Sequence, residues 1–184
     1  SNGALWPALH GCIRKPVVEE EDWELYRRVN ARYADVVGEN LKGGDRVWIH
    51  DYHLLLVPGL LRARCPAARI GLFLHTPFPP PEYFAELPQA PELLRGMLGA
   101  DVIGFHTWDY TRHFASAVRI LLGQRMRSDE LTQPHRSKLV TCPMGIDAGF
   151  FAGVARRPAV RAAAAGIRSQ AGGPVFVGVD RLDY

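Results

Sequence analysis

Ile70-Gly71-Leu72-Phe73-Leu74, running into His75, is a short apolar segment that ends in a histidine, and its reading decides the fold. Upstream, Val47-Trp48-Ile49 runs into His50-Asp51. Downstream, Val102-Ile103-Gly104-Phe105 runs into His106, and Val175-Phe176-Val177-Gly178-Val179 runs into Asp180-Arg181. Apolar runs of this length, rich in β-branched and aromatic residues, read as buried strands. The first three lie one βαβ unit apart, about 30 residues each, and such runs predict a parallel sheet buried on both faces. Ligands of open α/β sheets bind outside the carboxyl ends of the strands. The polar residues at those ends are therefore the candidate site.

The 184 residues suffice for one full core, or for one domain and part of another. Apolar content of 47% and charged content of 22% exclude a disordered or fibrous chain. A net charge of +3, from scattered basic residues, is too mild to argue for nucleic acid and would suit a small anion such as a sugar phosphate equally well, so composition alone does not choose; no nucleic-acid partner is expected. Cys12, Cys65 and Cys142 are odd in number and far apart, which points to free thiols in a reducing, cytoplasmic setting. The longest apolar run, Leu54 to Leu61, is broken by Pro58-Gly59 and is far below the ~20 residues of a membrane span. No membrane partner and no secretory signal are expected.

Along the chain, Trp23, Tyr26, Val29, Tyr33 and Val36-Val37 predict one face of a helix over residues 17 to 37, with Glu19 to Asp22 in its first turn. Leu54 to Arg64 reads as a helix that Pro58 must begin or kink and Cys65-Pro66 must end. His75 enters a loop with Pro77, Pro79, Pro80 and Pro81, stiff and extended. A short helix over 91 to 99 closes at Gly99. Thr107 caps the next helix, which Gly123 stops. Residues 124 to 138 are a polar surface excursion before a strand at Leu139 to Cys142. Arg156-Arg157-Pro158 and the alanine-rich 159 to 165 read as a linker into a helix ended at Gly172-Gly173. The expected domains are residues 1–147, lacking first strands, and residues 148–184, a linker and the opening of a second α/β domain. The chain is thus expected to be a fragment.

Several chemistries are absent from the sequence. No Gly-x-Gly-x-x-Gly follows a strand, and there is no P-loop, Gly-x-Ser-x-Gly or His-Glu-x-x-His. His50 and His53 lack a nearby third ligand for zinc. Asp51, between a strand and a helix, suits either hydrogen bonds from sugar hydroxyls or the N-cap of the helix containing Leu54. His75 sits where a stiff loop would hold a side chain or carbonyl against a ligand. His106 has the same placement without the stiff loop and is expected in the core. Arg181 suits a phosphate, or a salt bridge with Asp180 or Asp183. Trp6 suits a sugar ring, or packing. Pro77-Phe78-Pro79-Pro80 has the spacing of a displayed peptide, but its position between a buried strand and Phe84 argues against display.

Six blocks in order carry a resemblance: Leu5-Trp6-Pro7; Trp48-Ile49-His50-Asp51-Tyr52-His53-Leu54; Gly71-Leu72-Phe73-Leu74-His75-Thr76-Pro77-Phe78-Pro79; Leu98-Gly99-Ala100-Asp101 with Gly104-Phe105-His106-Thr107; Pro143-Met144-Gly145-Ile146-Asp147; and Asp180-Arg181-Leu182-Asp183-Tyr184. In these the chain resembles the trehalose-6-phosphate synthases, retaining glycosyltransferases of two Rossmann-like domains with the donor in the cleft between them. The fold implied is α/β: a Rossmann-like parallel sheet with flanking helices, an incomplete GT-B type N-terminal domain plus the start of the second. Asp180 departs from the family's usual glutamate, and residues 124 to 138 do not align.

The resemblance implies transfer of glucose from UDP-glucose to glucose 6-phosphate with retention. It places Trp6 and Asp51 in the acceptor pocket, His75 beside the transferred glucose, and Arg181 on the donor diphosphate. A lysine that the family pairs with this arginine, a glycine-bearing loop and the uridine-binding half would lie outside the chain. No cofactor or metal is implied, UDP-glucose being a co-substrate. The implied displacement is front-face, the donor phosphate taking the acceptor's proton, so the two carboxylates of a retaining glycosidase are not needed. The fragment alone is expected to be inactive. Two other readings stay open: a catalytically silent relative that senses sugar phosphates, and a sister transferase using glycerol 3-phosphate. Homo-oligomerisation is left open.

Overall fold

The computed structural model describes residues 3–11, 18–124, 126–127, 130–131 and 137–179. The chain divides into two compact units, Ser1–Pro143 and Met144–Tyr184.

In the first unit, α1 (Leu5–Leu9) and the long α2 (Glu20–Asn40) precede β1 (Arg46–His50). A single 3₁₀ turn, Tyr52–Leu54, leads to α3 (Val57–Arg64), and β2 (Arg69–Leu74) follows. Next come α4 (Pro81–Phe84), α5 (Ala90–Met97), β3 (Val102–Phe105) and α6 (Trp108–Leu122). The antiparallel pair β4 (Met126–Arg127) and β5 (Glu130–Leu131) precedes β6 (Ser137–Thr141). The sheet order is β1-β2-β3-β6-β5-β4. The first four strands are parallel, and β5 and β4 add an antiparallel edge. An α/β fold with a parallel sheet and flanking helices is thus present.

Local chemistry sets these boundaries. Pro58 stands in the first turn of α3, where its missing N–H costs nothing, and Cys65 ends that helix. Thr107 accepts the Tyr110 N–H to cap α6, and Gly123, at φ 67°, closes it. Gly99 does something other than end a helix: a Cβ there would lie 2.4 Å from the main-chain nitrogen of Gly59, so its bareness lets the end of α5 approach α3.

One expectation fails in an informative way. Ile49, Ile70, Leu72, Leu74, Ile103, Phe105 and Leu139 are buried on one side of the sheet. Strand residues alternate faces, and on the other side Trp48 is 70% exposed and His50 is exposed as well. Among the described residues, helices cover one face only. The parallel strands advance in one direction across the sheet, and right-handed crossovers then set every helix on the same face. The covered face holds Phe105 against Phe114 of α6 and Phe78 against Phe84, all fully buried. Each such side chain contributes about 1.5–3 kcal/mol.

The face of α2 is also corrected. Its buried residues are Trp23, Tyr26, Asn30 and Ala34, whereas Val29, Tyr33 and Val36 are exposed. A buried asparagine displaces the apparent stripe by one position. At the amino ends of the strands, Arg62 lies 2.9 Å from Asp101 through Nη2, off the hydrogen-bonding axis, and donates Nε to the Gly99 carbonyl.

The second unit contains α7 (Ala148–Ala155) and α8 (Pro158–Ala171). Asp147 caps α7 by accepting the Phe150 N–H at 2.8 Å, and Pro158 begins α8, so the expected linker is already helix. Val175 to Val179 forms no strand, and Phe176 is 95% exposed. A strand needs a neighbour for its main-chain groups, and no described residue supplies one. No helix among the described residues is long and apolar enough to cross a membrane.

Candidate functional site

The carboxyl ends of β1, β2 and β3 bring together residues that the sequence separates by 24 and more positions. Asp51 leaves β1 with its N–H donated to the Phe73 carbonyl at 2.8 Å, which continues the parallel ladder one residue further. Its backbone then turns through φ 67°, ψ 177°, a region that side chains make costly by roughly 1–3 kcal/mol. Among the non-glycine residues described, Asp51 alone has a positive φ. Its side chain does not cap the following turn. Instead Oδ1 accepts the main-chain N–H groups of His75 at 3.3 Å and Thr76 at 3.4 Å. The N-cap alternative is thereby excluded, and the carboxylate joins two strand ends.

His75 emerges on the open face of the sheet. Its Nε2 lies 2.9 Å from Nδ1 of His50 on the adjacent strand. Phe73 packs against its ring at 4.8 Å between centroids, and His106 meets it edge-on at 5.5 Å. His106 is half-buried within this group, so the expectation of a core histidine is corrected. Phe73 finds room because Gly104 lies beneath it; a Cβ at Gly104 would stand 2.6 Å from the Phe73 ring. Loss of solvation holds the His75 imidazole below the usual histidine range. The Asp51 charge opposes that shift, and His50 and His106 reinforce it. The buried Thr76 hydroxyl has no hydrogen-bond partner among the described residues.

The segment after Asp51 is held from below by α2. Tyr26 donates its hydroxyl to the Tyr52 carbonyl at 2.8 Å and accepts the Leu55 N–H at 3.1 Å. Asn30 donates to the carbonyls of Tyr26 and His53 and accepts the Leu56 N–H. Burial pushes the Tyr26 hydroxyl's pKa above its usual range, so it remains a neutral donor. Sequence reading took Tyr26 as packing and missed Asn30; the signal was one polar residue inside an otherwise apolar stripe. Trp6 on α1 lies half-buried with its ring 5.7 Å from Tyr52, the residue next to Asp51, and 3.9 Å from His10.

Trp6, Asp51 and His75 therefore gather at one end of the sheet, while Arg181 and Asp180 lie outside the described residues. The His53 ring lies 4.0 Å from that of Tyr52, tilted by 33°. No group of three or more His, Cys, Asp or Glu residues among those described could hold a metal. Concavities among the described residues occur away from this cluster. One, of about 110 Å³, is lined by Leu5, Trp23, Tyr26 and Gln89. Another, of about 400 Å³, sits at the amino ends of β1 and β2 between Lys42, Asp45, Cys65 and Arg69. The strand-end cluster is an open shelf on which His50 and His75 face solvent. Its carboxylate and imidazoles are suited to binding polyhydroxylated ligands by hydrogen bonds.

Known proteins resemble this chain in sequence and in fold. The chain is 42% identical, over 191 aligned residues, to alpha,alpha-trehalose-phosphate synthase (UDP-forming) 2 of Aspergillus fumigatus, an alignment covering 100% of this chain and 40% of that protein. A solved structure described as trehalose-6-phosphate from E. coli bound with UDP-2-fluoro glucose matches with a TM-score of 0.80 and 34% identity, over 92% of this chain and 38% of that one. The Candida albicans trehalose-6-phosphate phosphatase N-terminal domain matches with a TM-score of 0.79 and 37% identity, over 90% and 36%. The chain thus spans about 40% of the length of the curated relatives it matches. The family model for glycosyltransferase family 20 matches residues 1–184, and the chain belongs to that family.

Proposed function

We propose that the protein takes part in transfer of glucose from UDP-glucose to glucose 6-phosphate, forming α,α-trehalose 6-phosphate with retention. The observation that carries this reading is Asp51, held at a costly backbone angle so that its carboxylate joins the ends of β1 and β2 beside His75. The activity for which the Aspergillus fumigatus relative is named and the UDP-sugar analogue bound in the E. coli protein support it.

In this reading Asp51 accepts hydrogen bonds from the acceptor sugar, and Trp6, one residue contact away through Tyr52, forms the floor of that pocket. His75 faces the transferred glucose. Arg181 takes the donor diphosphate, where a guanidinium stabilises charge as it develops on the leaving group. Catalysis is orientation and electrostatics, and no protein nucleophile, metal or other cofactor is assigned. The proposal includes a cytoplasmic setting and small-molecule partners only.

A second reading is favoured by the match to a phosphatase's N-terminal domain: this fold also occurs in a protein named for another activity. There the site would bind sugar phosphate without turnover. UDP release, measured on the protein at the length its own gene encodes, separates the two. Release from UDP-glucose that requires glucose 6-phosphate supports the transferase. Release supported by glycerol 3-phosphate instead assigns a sister transferase. Binding of glucose 6-phosphate without release with either acceptor supports the silent relative.

A further inference from the structure

We propose that His50 is a positioning residue for His75, fixing which nitrogen of the His75 ring carries its proton. The two residues project on the same open face from adjacent parallel strands, in which His50 is paired with Phe73. His50 Nδ1 and His75 Nε2 stand 2.9 Å apart, so one must donate and the other accept. With Nε2 engaged in this way, Nδ1 is the ring nitrogen left for a sugar hydroxyl. Phe73 and His106 flank the same ring. Asp51 anchors His75 through its main-chain N–H, so backbone and ring have separate supports. Each neutral imidazole has two tautomers, and the contact ties one to the other: a proton on His50 Nδ1 requires the His75 proton on Nδ1, and a proton on His50 Nε2 requires it on His75 Nε2. The lowered proton affinity of His75 is consistent with a ring kept neutral. The functional half of this inference rests on the reading of His75 as facing the transferred glucose.

The test compares the wild type with His50→Phe, which keeps a ring of similar size without nitrogen, and His50→Asn, whose amide reaches the position of Nδ1. His50 is exposed, so neither change disturbs the core. Nitrogen-15 spectra of histidine-labelled protein at about pH 8, above the ordinary imidazole range, report the tautomer without any turnover. The expected result is one His75 tautomer in the wild type, a mixture in His50→Phe and a single form again in His50→Asn. In parallel, kcat/KM for UDP-glucose is expected to fall about tenfold in His50→Phe, the worth of one hydrogen bond to a neutral group, and to recover to within about threefold in His50→Asn. An unchanged His75 tautomer in His50→Phe overturns the proposal, as does an unchanged kcat/KM. If the wild type shows the single tautomer that His50→Phe loses, yet releases no UDP, the transferase reading fails while the positioning role stands.

Discussion

The Asp51 carboxylate reaches across from β1 to the main-chain N–H of His75 at the end of β2, 3.3 Å away, from a backbone angle that an aspartate adopts only at a cost. Glycine tolerates that angle. Asp51→Gly and Asp51→Ala both lose the carboxylate, but only alanine keeps the strain. Chemical denaturation should find Asp51→Gly more stable than Asp51→Ala by about 1–2 kcal/mol, with both impaired in turnover. Equal stability of the two would show that the angle carries no strain.

Asn30 joins the site to α2. Asn30→Ala leaves the Leu56 N–H and the His53 carbonyl without their partner, at a cost of about 1–3 kcal/mol. The denaturation midpoint should fall with an unchanged slope. Turnover should fall further than stability alone requires, because the segment following Asp51 loosens.

Gly104 lies beneath the Phe73 ring, with too little space for a methyl group. Gly104→Ala should displace Phe73 and, through it, His75 and His106, at about 1–3 kcal/mol of stability. Gly104→Ala combined with Phe73→Leu, which frees that space, should recover most of the loss; failure to recover would place the strain elsewhere.

The site's electrostatics give a signed prediction. Loss of solvation lowers the His75 proton affinity while Asp51 raises it. The His75 titration midpoint, followed by NMR, should lie below about 6.5, and Asp51→Asn should move it lower still. Because the folded state disfavours protonation of His75, the unfolded chain binds more protons as pH falls through the ordinary histidine range, and stability declines there. The exposure of His75 keeps this decline small. An upward movement of the midpoint in Asp51→Asn would contradict the assigned geometry.

What the sequence reveals follows from what each signal measures. Apolar runs located β1, β2 and β3 because burial of alternate residues demands them, and proline, threonine and glycine marked the ends of α3 and α6. The same runs suggested burial on both faces, since Trp48, Phe73 and the glycines of the open face are themselves apolar. Val175 to Val179 has strand-forming residues and no partner among the described residues, and strand propensity alone cannot supply one. The strand-end residues Asp51 and His75 were legible from position. Their mutual bond, the His50 contact and the support from Asn30 depend on pairing register and on a helix distant in sequence.

The most direct test of the account is glucose 6-phosphate-dependent UDP release by the wild type and by Asp51→Asn, which preserves shape and removes charge. The account predicts release by the wild type and a loss of roughly 10- to 100-fold in kcat/KM for glucose 6-phosphate in the variant, the worth of one or two hydrogen bonds to a charged group. Full turnover in Asp51→Asn would contradict it.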